Sequence, residues 1–127
     1  MDKLFSTEPD FEAKITIPTI AESGRKYSPQ NQIRWDFGYA EDNPLELERN
    51  LSATIYMIYA NYLDENDAPI AKRVPLSGTY KAYMHIVVRE MVPYHRSRLA
   101  VGTEFNCHEG SRIVARGVVT RLCAVLH

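Results

Sequence analysis

Two cysteines in 127 residues are too few for a disulfide scaffold. No C-x-x-C pair supplies half of a structural zinc site. No apolar run is long enough to span a bilayer, and residues 1–10 are acidic and lack the apolar stretch of a secretory signal. Neither charge sign dominates: fifteen Lys and Arg stand against sixteen Asp and Glu, for a net charge of −1. Composition as a whole therefore advertises neither nucleic acid nor a membrane surface. The phosphate-loop pattern GxxxxGK[ST] and the GxSxG nucleophile elbow are both missing. No internal repeat or low-complexity segment occurs. With 45% hydrophobic residues the chain is not disordered, and its length suits one domain rather than two. The expectation is a single cytoplasmic domain over residues 11–127 behind a flexible segment, residues 1–10, with no membrane association.

What is present is period two. Phe11, Ala13, Ile15 and Ile17 alternate with Glu12, Lys14 and Thr16, a half-buried strand ended by Pro18. Residues 21–29 (AESGRKYSP) are loop chemistry, and Ile33, Trp35 and Phe37 mark a second strand. Residues 41–50 read as a loop. Residues 53–62 (ATIYMIYANY) form a third strand, followed by a turn at 64–67. Residues 82–89 (AYMHIVVR) form a fourth strand and residues 92–95 (VPYH) a loop. Residues 103–108 and 112–126 make a final hairpin around Gly110, which supplies the positive φ of a short turn. Gly117 interrupts the last strand where alternation slips, which predicts a bulge at Val118 and Val119. The predicted core is Phe11, Ile15, Ile17, Trp35, Ile86, Val88, Phe105, Val114 and Val118, together with Met57 and Leu122. Six strands without an excess of polar edge residues point to an all-β closed barrel.

The neutral total hides a split of −7 over residues 1–71 and +6 over residues 72–127. A basic face for an anionic partner and cross-strand charge pairing both account for it. Candidate chemistry is thin. Cys107 and His108 are adjacent on a strand and point to opposite faces, so they do not share a metal ion easily, and no metal site or cofactor is expected. His95, flanked by Tyr94, Arg96 and Arg98, is either part of an anion- or partner-contacting loop, a general acid, or a solvated loop residue. Tyr56, Tyr59, Tyr62, Tyr80 and Tyr83 crowd the middle of the chain, as an exposed stacking belt or as rim packing.

Residues 105–119 read FNCHEGSRIVARGVV. This hairpin resembles the last hairpin of the C-terminal barrel, domain III, of elongation factor Tu, whose pattern is F-x-[IL]-R-E-G-x-R-x-V-x-x-G-V-V. The spacing from Phe105 through Glu109, Gly110, Arg112, Val114 and Gly117 to Val119 fits without a gap. Residues 11–15 (FEAKI), 22–25 (ESGR) and 28–29 (SP) are similar to that domain's first strand and its E-x-G-R-x-x-P loop. The family's GYRPQ segment is shortened here to residues 29–32 (PQNQ), and residues 60–80 and 93–96 have no counterpart. The GTPase domain has no counterpart either. The resemblance implies a six-stranded Greek-key barrel, elaborated at about residues 60–80, that does no catalysis. It implies contact with a partner protein or with the backbone of tRNA, through Arg25, the Gly110 backbone and Gln32. The alternative for Arg25 is a loop-stabilising ion pair, with Glu22 as its partner, and for Gly110 simple turn geometry. The expected function is a non-catalytic interaction module for a partner protein. The alternatives are tRNA or structured-RNA binding through basic loops and an immunity or inhibitor protein; an enzyme comes last.

Overall fold

A computed structural model describes residues 8–23, 25–41, 57–110 and 112–126. Six antiparallel strands close into a barrel: β1 (Phe11–Ile17), β2 (Arg34–Tyr39), β3 (Met57–Leu63), β4 (Gly78–Ile86), β5 (Glu104–Glu109) and β6 (Arg112–Leu122). Around the barrel the order is β1-β4-β3-β2-β5-β6. β1 closes the cylinder by pairing with β4 on one side and β6 on the other. Among the described residues are also two short helices, α1 (Ile20–Ser23) and α2 (Val92–Arg98). Single 3₁₀ turns lie at Arg89–Met91 and Ala124–Leu126.

Alternation drives this architecture. Phe11, Ala13, Ile15 and Ile17 of β1 all point inward and are at most 2% exposed. Ile58, Ala60 and Tyr62 of β3, Ala82, Met84 and Ile86 of β4, and Trp35, Phe37 and Tyr39 of β2 join them. Large and small side chains share the lumen, so it is filled rather than open. Phe37 stacks on Phe105 at 4.8 Å, and Phe11 meets both edge-on at 6.3 and 6.0 Å. Gly117 lies opposite Phe105 in the β5–β6 pair. A Cβ there would sit 2.4 Å from the Phe105 ring, so only glycine admits the phenylalanine.

Several expectations shift. The bulges fall at Val114, where β6 pairs with β5, and at Thr120, where it pairs with β1, not at Val118 and Val119. Val114 as an extra residue reverses the alternation, so Ala115, Gly117 and Val119 face inward and Val118 is only half-buried. Val88 lies beyond the end of β4 and Met57 and Leu122 are also only partly buried, whereas the other predicted core residues are fully buried. The fourth strand starts earlier, at Gly78, and the last ends at Leu122. Residues 92–95 form the start of α2, not a loop. Asp10 is buried rather than part of a flexible segment, because Ile86 N–H and Arg89 both bond its carboxylate. The turn at 64–67 holds as read: Asp64 Oδ1 accepts from the N–H groups of Asn66 and Ala68. Residues 1–7 and 42–56 lie outside the described residues, which takes in the 41–50 loop after its first residue, Tyr56 and the first part of the third predicted strand.

Gly117→Ala should destabilise the barrel by about 1–3 kcal/mol through overpacking. In a Phe105→Leu background the same change should cost much less. Urea denaturation of the four proteins of this cycle measures the coupling; additive costs would show that the ring and the glycine do not constrain each other.

Candidate functional site

The strand register sorts the candidate residues to opposite ends of the barrel. One end carries the loops of residues 18–33 and 64–77 and the β5–β6 turn; we call it the loop end. The other carries α2, the Asp10 segment and the C-terminal 3₁₀ turn, and is the helix end. Arg25, Gln32 and Gly110 are at the loop end, and Tyr94, His95, Arg96 and Arg98 are at the helix end. They do not form one site.

At the helix end, α2 begins with Pro93 in its first turn and drops Val92 and His95 onto the barrel mouth. His95 is 1% exposed, not a solvated loop residue. Its Nδ1 lies 2.7 Å from the Tyr39 hydroxyl, and its ring meets Phe37 edge-on at 5.4 Å. Burial, with the nearby Arg98 cation, pushes its pKa down to about 4. Arg98 lies over the Tyr39 ring at 3.8 Å and bonds Glu41 and the Tyr94 hydroxyl, each at 2.5 Å. Arg96 donates to the Val125 carbonyl at 3.1 and 2.8 Å, tying down the C-terminal turn. Each of these groups is engaged within the fold, and a neutral imidazole behind aromatic walls is poorly placed for acid catalysis.

At the loop end Arg25 pairs with Glu109, 84 residues away, at 3.1 Å. Glu109 also accepts from Trp35 Nε1 at 2.9 Å, and Arg25 lies over that indole. Glu22 is not its partner. Instead Glu22 accepts from Thr19 N–H and Oγ1 at 3.0 and 2.9 Å, while Thr19 Oγ1 accepts from Glu22 N–H at 3.3 Å, a capping box that starts α1. Gly110 has φ 63°, as the hairpin turn requires. Gln32 has φ 70°, and its buried carboxamide has no hydrogen-bond partner among the described residues.

Sequence reasoning missed Asn31. Its Oδ1 accepts from Tyr62 N–H at 2.7 Å and Gln32 N–H at 3.0 Å. Its Nδ2 lies 3.1 Å from the Tyr62 carbonyl and 2.7 Å from the Ile70 carbonyl. The carboxamide thus imitates a strand residue beside β3 and fastens both large loops to it. A second fastening is Leu76 N–H to the Pro29 carbonyl at 2.9 Å. Together they make the two loops one platform, with Leu76 buried beneath. On its outside Tyr27 is 70% exposed, and Ile20 and Val74 are 42% and 40% exposed. Exposed Lys26, Lys72 and Arg73 lie beside them and form no ion pair among the described residues.

Among the described residues the tyrosines do not form an exposed belt. Tyr62 is buried in the lumen, Tyr59 stacks on His85 at 4.7 Å, and Tyr80 bonds Ser77. Cys107 and Cys123 are buried and unbridged, and burial lifts the Cys107 thiol to about 12. His108 faces Asp36 across strands. Burial lowers the imidazole pKa and raises that of the carboxyl, each opposing the other's shift. Among the described residues no group of three or more His, Cys, Asp or Glu is placed to hold a metal ion. No described helix is long and apolar enough to cross a membrane.

Burial lowers the pKa of His85, His95 and His108, which disfavours their protonation in the fold. Their unfolded counterparts take up a proton at about pH 6.5. Stability is therefore complete above that pH and is lost as pH falls towards 4, the pKa of His95. Each histidine contributes at most about 1.4 kcal/mol per pH unit within its window. Urea midpoints measured across this range should fall with pH, and His95→Gln should flatten the slope. A flat wild-type profile would show that the histidines are not neutral in the fold.

No protein-family model matches the chain, and no curated protein matches it either.

Proposed function

We propose that this barrel is a non-catalytic interaction module that binds a partner protein through its loop end. The observation that carries the reading is the exposure of Tyr27 and Val74 on two loops fastened to each other by the Leu76–Pro29 and Asn31–Ile70 bonds, with Ile20 also exposed at this end. Large exposed side chains on a rigid base, rimmed by charge, match the anatomy of a protein interface centre. Lys26, Lys72 and Arg73 make acidic groups around an apolar patch the complementary partner surface. The acids at this end are largely committed: Glu22 to its cap, Glu109 to Arg25 and Trp35, Asp64 to its turn, and Asp67 to Lys81.

The resemblance to domain III of elongation factor Tu belongs to this proposal. The placement of β1 beside β4 rather than β2 supports a Greek-key winding. Binding of tRNA or structured RNA is the second reading, and the three unpaired loop cations favour it. Arg25, Arg96 and Arg98, however, spend their guanidinium groups on Glu109, the Val125 carbonyl and Glu41. An immunity or inhibitor role would be one form of the protein-binding module, in the same cytoplasmic setting.

Affinity capture from native lysate should recover a specific protein. Tyr27→Ala, outside the core, should weaken that complex about thirtyfold if the ring is a hot spot. The fold should be unchanged by circular dichroism. Capture that survives both Tyr27→Ala and Val74→Asp would overturn the loop end as the interface. Salt-sensitive retardation of tRNA, with no protein recovered, would favour the RNA reading instead.

A further inference from the structure

The loop between β3 and β4 contains a tight turn that carries two consecutive cations. Val74 N–H bonds the Ala71 carbonyl at 3.0 Å, which makes residues 71–74 a β-turn with Lys72 and Arg73 at its corners. Residues 71–75 are all exposed, and neither cation forms an ion pair among the described residues. Both stems of the turn are tied down. On the incoming side Ile70 N–H bonds the Tyr62 carbonyl at 3.0 Å, and the Ile70 carbonyl accepts from Asn31 at 2.7 Å. On the outgoing side Leu76 N–H bonds the Pro29 carbonyl at 2.9 Å, with the leucine side chain buried. Among the described residues, the turn's own bond is the only backbone hydrogen bond made by residues 71–75. The turn can therefore open without disturbing a strand ladder.

A trypsin-like protease takes an arginine or lysine side chain into an acidic pocket and draws an exposed loop tip into its cleft. Most other described basic residues lie in strands or helical turns, where the backbone is already bonded. Lys26 lies in a loop, but it follows Arg25, whose side chain is held by Glu109 and Trp35.

Scission at this turn divides the barrel without dividing its sheet. Residues 1–73 hold β1, β2 and β3, and residues 74–127 hold β4, β5 and β6. Four of the six seams of the closed sheet join the two parts: β1–β4, β1–β6, β3–β4 and β2–β5. The lumen is shared as well, since Phe11 and Phe37 of the first part pack on Phe105 of the second. Their charges are opposite. The first part has eight basic and thirteen acidic residues, a balance of −5; the second has seven and three, a balance of +4. The Asp10–Arg89 and Glu12–Arg121 pairs cross between them. Each part alone leaves open strand edges that the other closes.

We propose that the Lys72–Arg73 turn is a processing site for a trypsin-like protease, and that its product is a two-chain barrel. Water adds across the Arg73–Val74 amide, leaving a carboxylate on Arg73 and an amino group on Val74. Ile70 and Leu76 hold the new ends beside residues 29–31. The inference is independent of what the barrel binds.

The test is limited proteolysis of the full chain by trypsin under native conditions, with cuts located by mass spectrometry. The Arg73–Val74 or Lys72–Arg73 bond should be hydrolysed before any bond within a strand or α2. Its rate, relative to that of an unstructured peptide substrate, should not change in urea below the unfolding transition, because local opening suffices. The two fragments should co-elute with uncut protein in gel filtration and part only in denaturant. The double variant Lys72→Gln, Arg73→Gln should lose this cut and keep its circular dichroism, since both side chains are exposed and unpaired. Earlier cutting within strands, a rate that climbs with urea ahead of the transition, or an unchanged cut in the double variant would overturn the site. Fragments that separate without denaturant would overturn the two-chain barrel.

Discussion

Closure of the sheet at β1 is the constraint on which the rest of the molecule depends. A six-stranded sheet closes only if its lumen is filled to native density, and here Phe11, Phe37 and Phe105 fill the middle of it. Phe105 fits because Gly117 removes a Cβ from the facing strand. The bulge at Val114 sets the alternation that aims Gly117 inward, and the bulge at Thr120 restores the register against β1. A glycine, a phenylalanine and two bulges are thus one device.

A filled lumen displaces polar chemistry to the ends and the outside of the barrel. At the helix end Asp10, 3% exposed, accepts from the Ile86 N–H at 2.7 Å and from Arg89 at 2.6 Å, so the buried charge is paired. On the outside Glu12 pairs with Arg121, joining β1 to β6 across the closing seam. The −7 and +6 halves of the chain meet in such contacts: Arg89 with Asp10, Arg121 with Glu12, Arg98 with Glu41 and Lys81 with Asp67. Cross-strand and cross-loop pairing therefore absorbs much of the asymmetry. Exposed cations that form no ion pair among the described residues include Lys14, Lys26, Arg34, Lys72, Arg73 and Arg116.

Strands were legible wherever one local rule acted alone. The alternation of residues 11–17, the Asp64 turn and the Gly110 hairpin are each decided within a few residues, and each is where the sequence places it. Legibility failed where a distant partner decides. Nothing near Arg25 indicates Glu109 as its partner, and no local signal marks Asn31 as a substitute strand residue. Gly117 resembles a bulge until its clash with Phe105 is known. α2 is an intermediate case. Val92, His95 and Leu99 sit at helical spacing and are all buried, but the middle position is a histidine among arginines, which masked the apolar stripe.

The choice between a protein and a nucleic-acid partner turns on what the free groups can supply. Affinity for RNA backbone rises with the number of phosphates neutralised and needs many cations along a track. The loop end has Lys26, Lys72 and Arg73, interleaved with Tyr27 and Val74, and the other candidate arginines are bound within the fold. A few cations around exposed apolar side chains give little counterion release but a good centre for a protein contact.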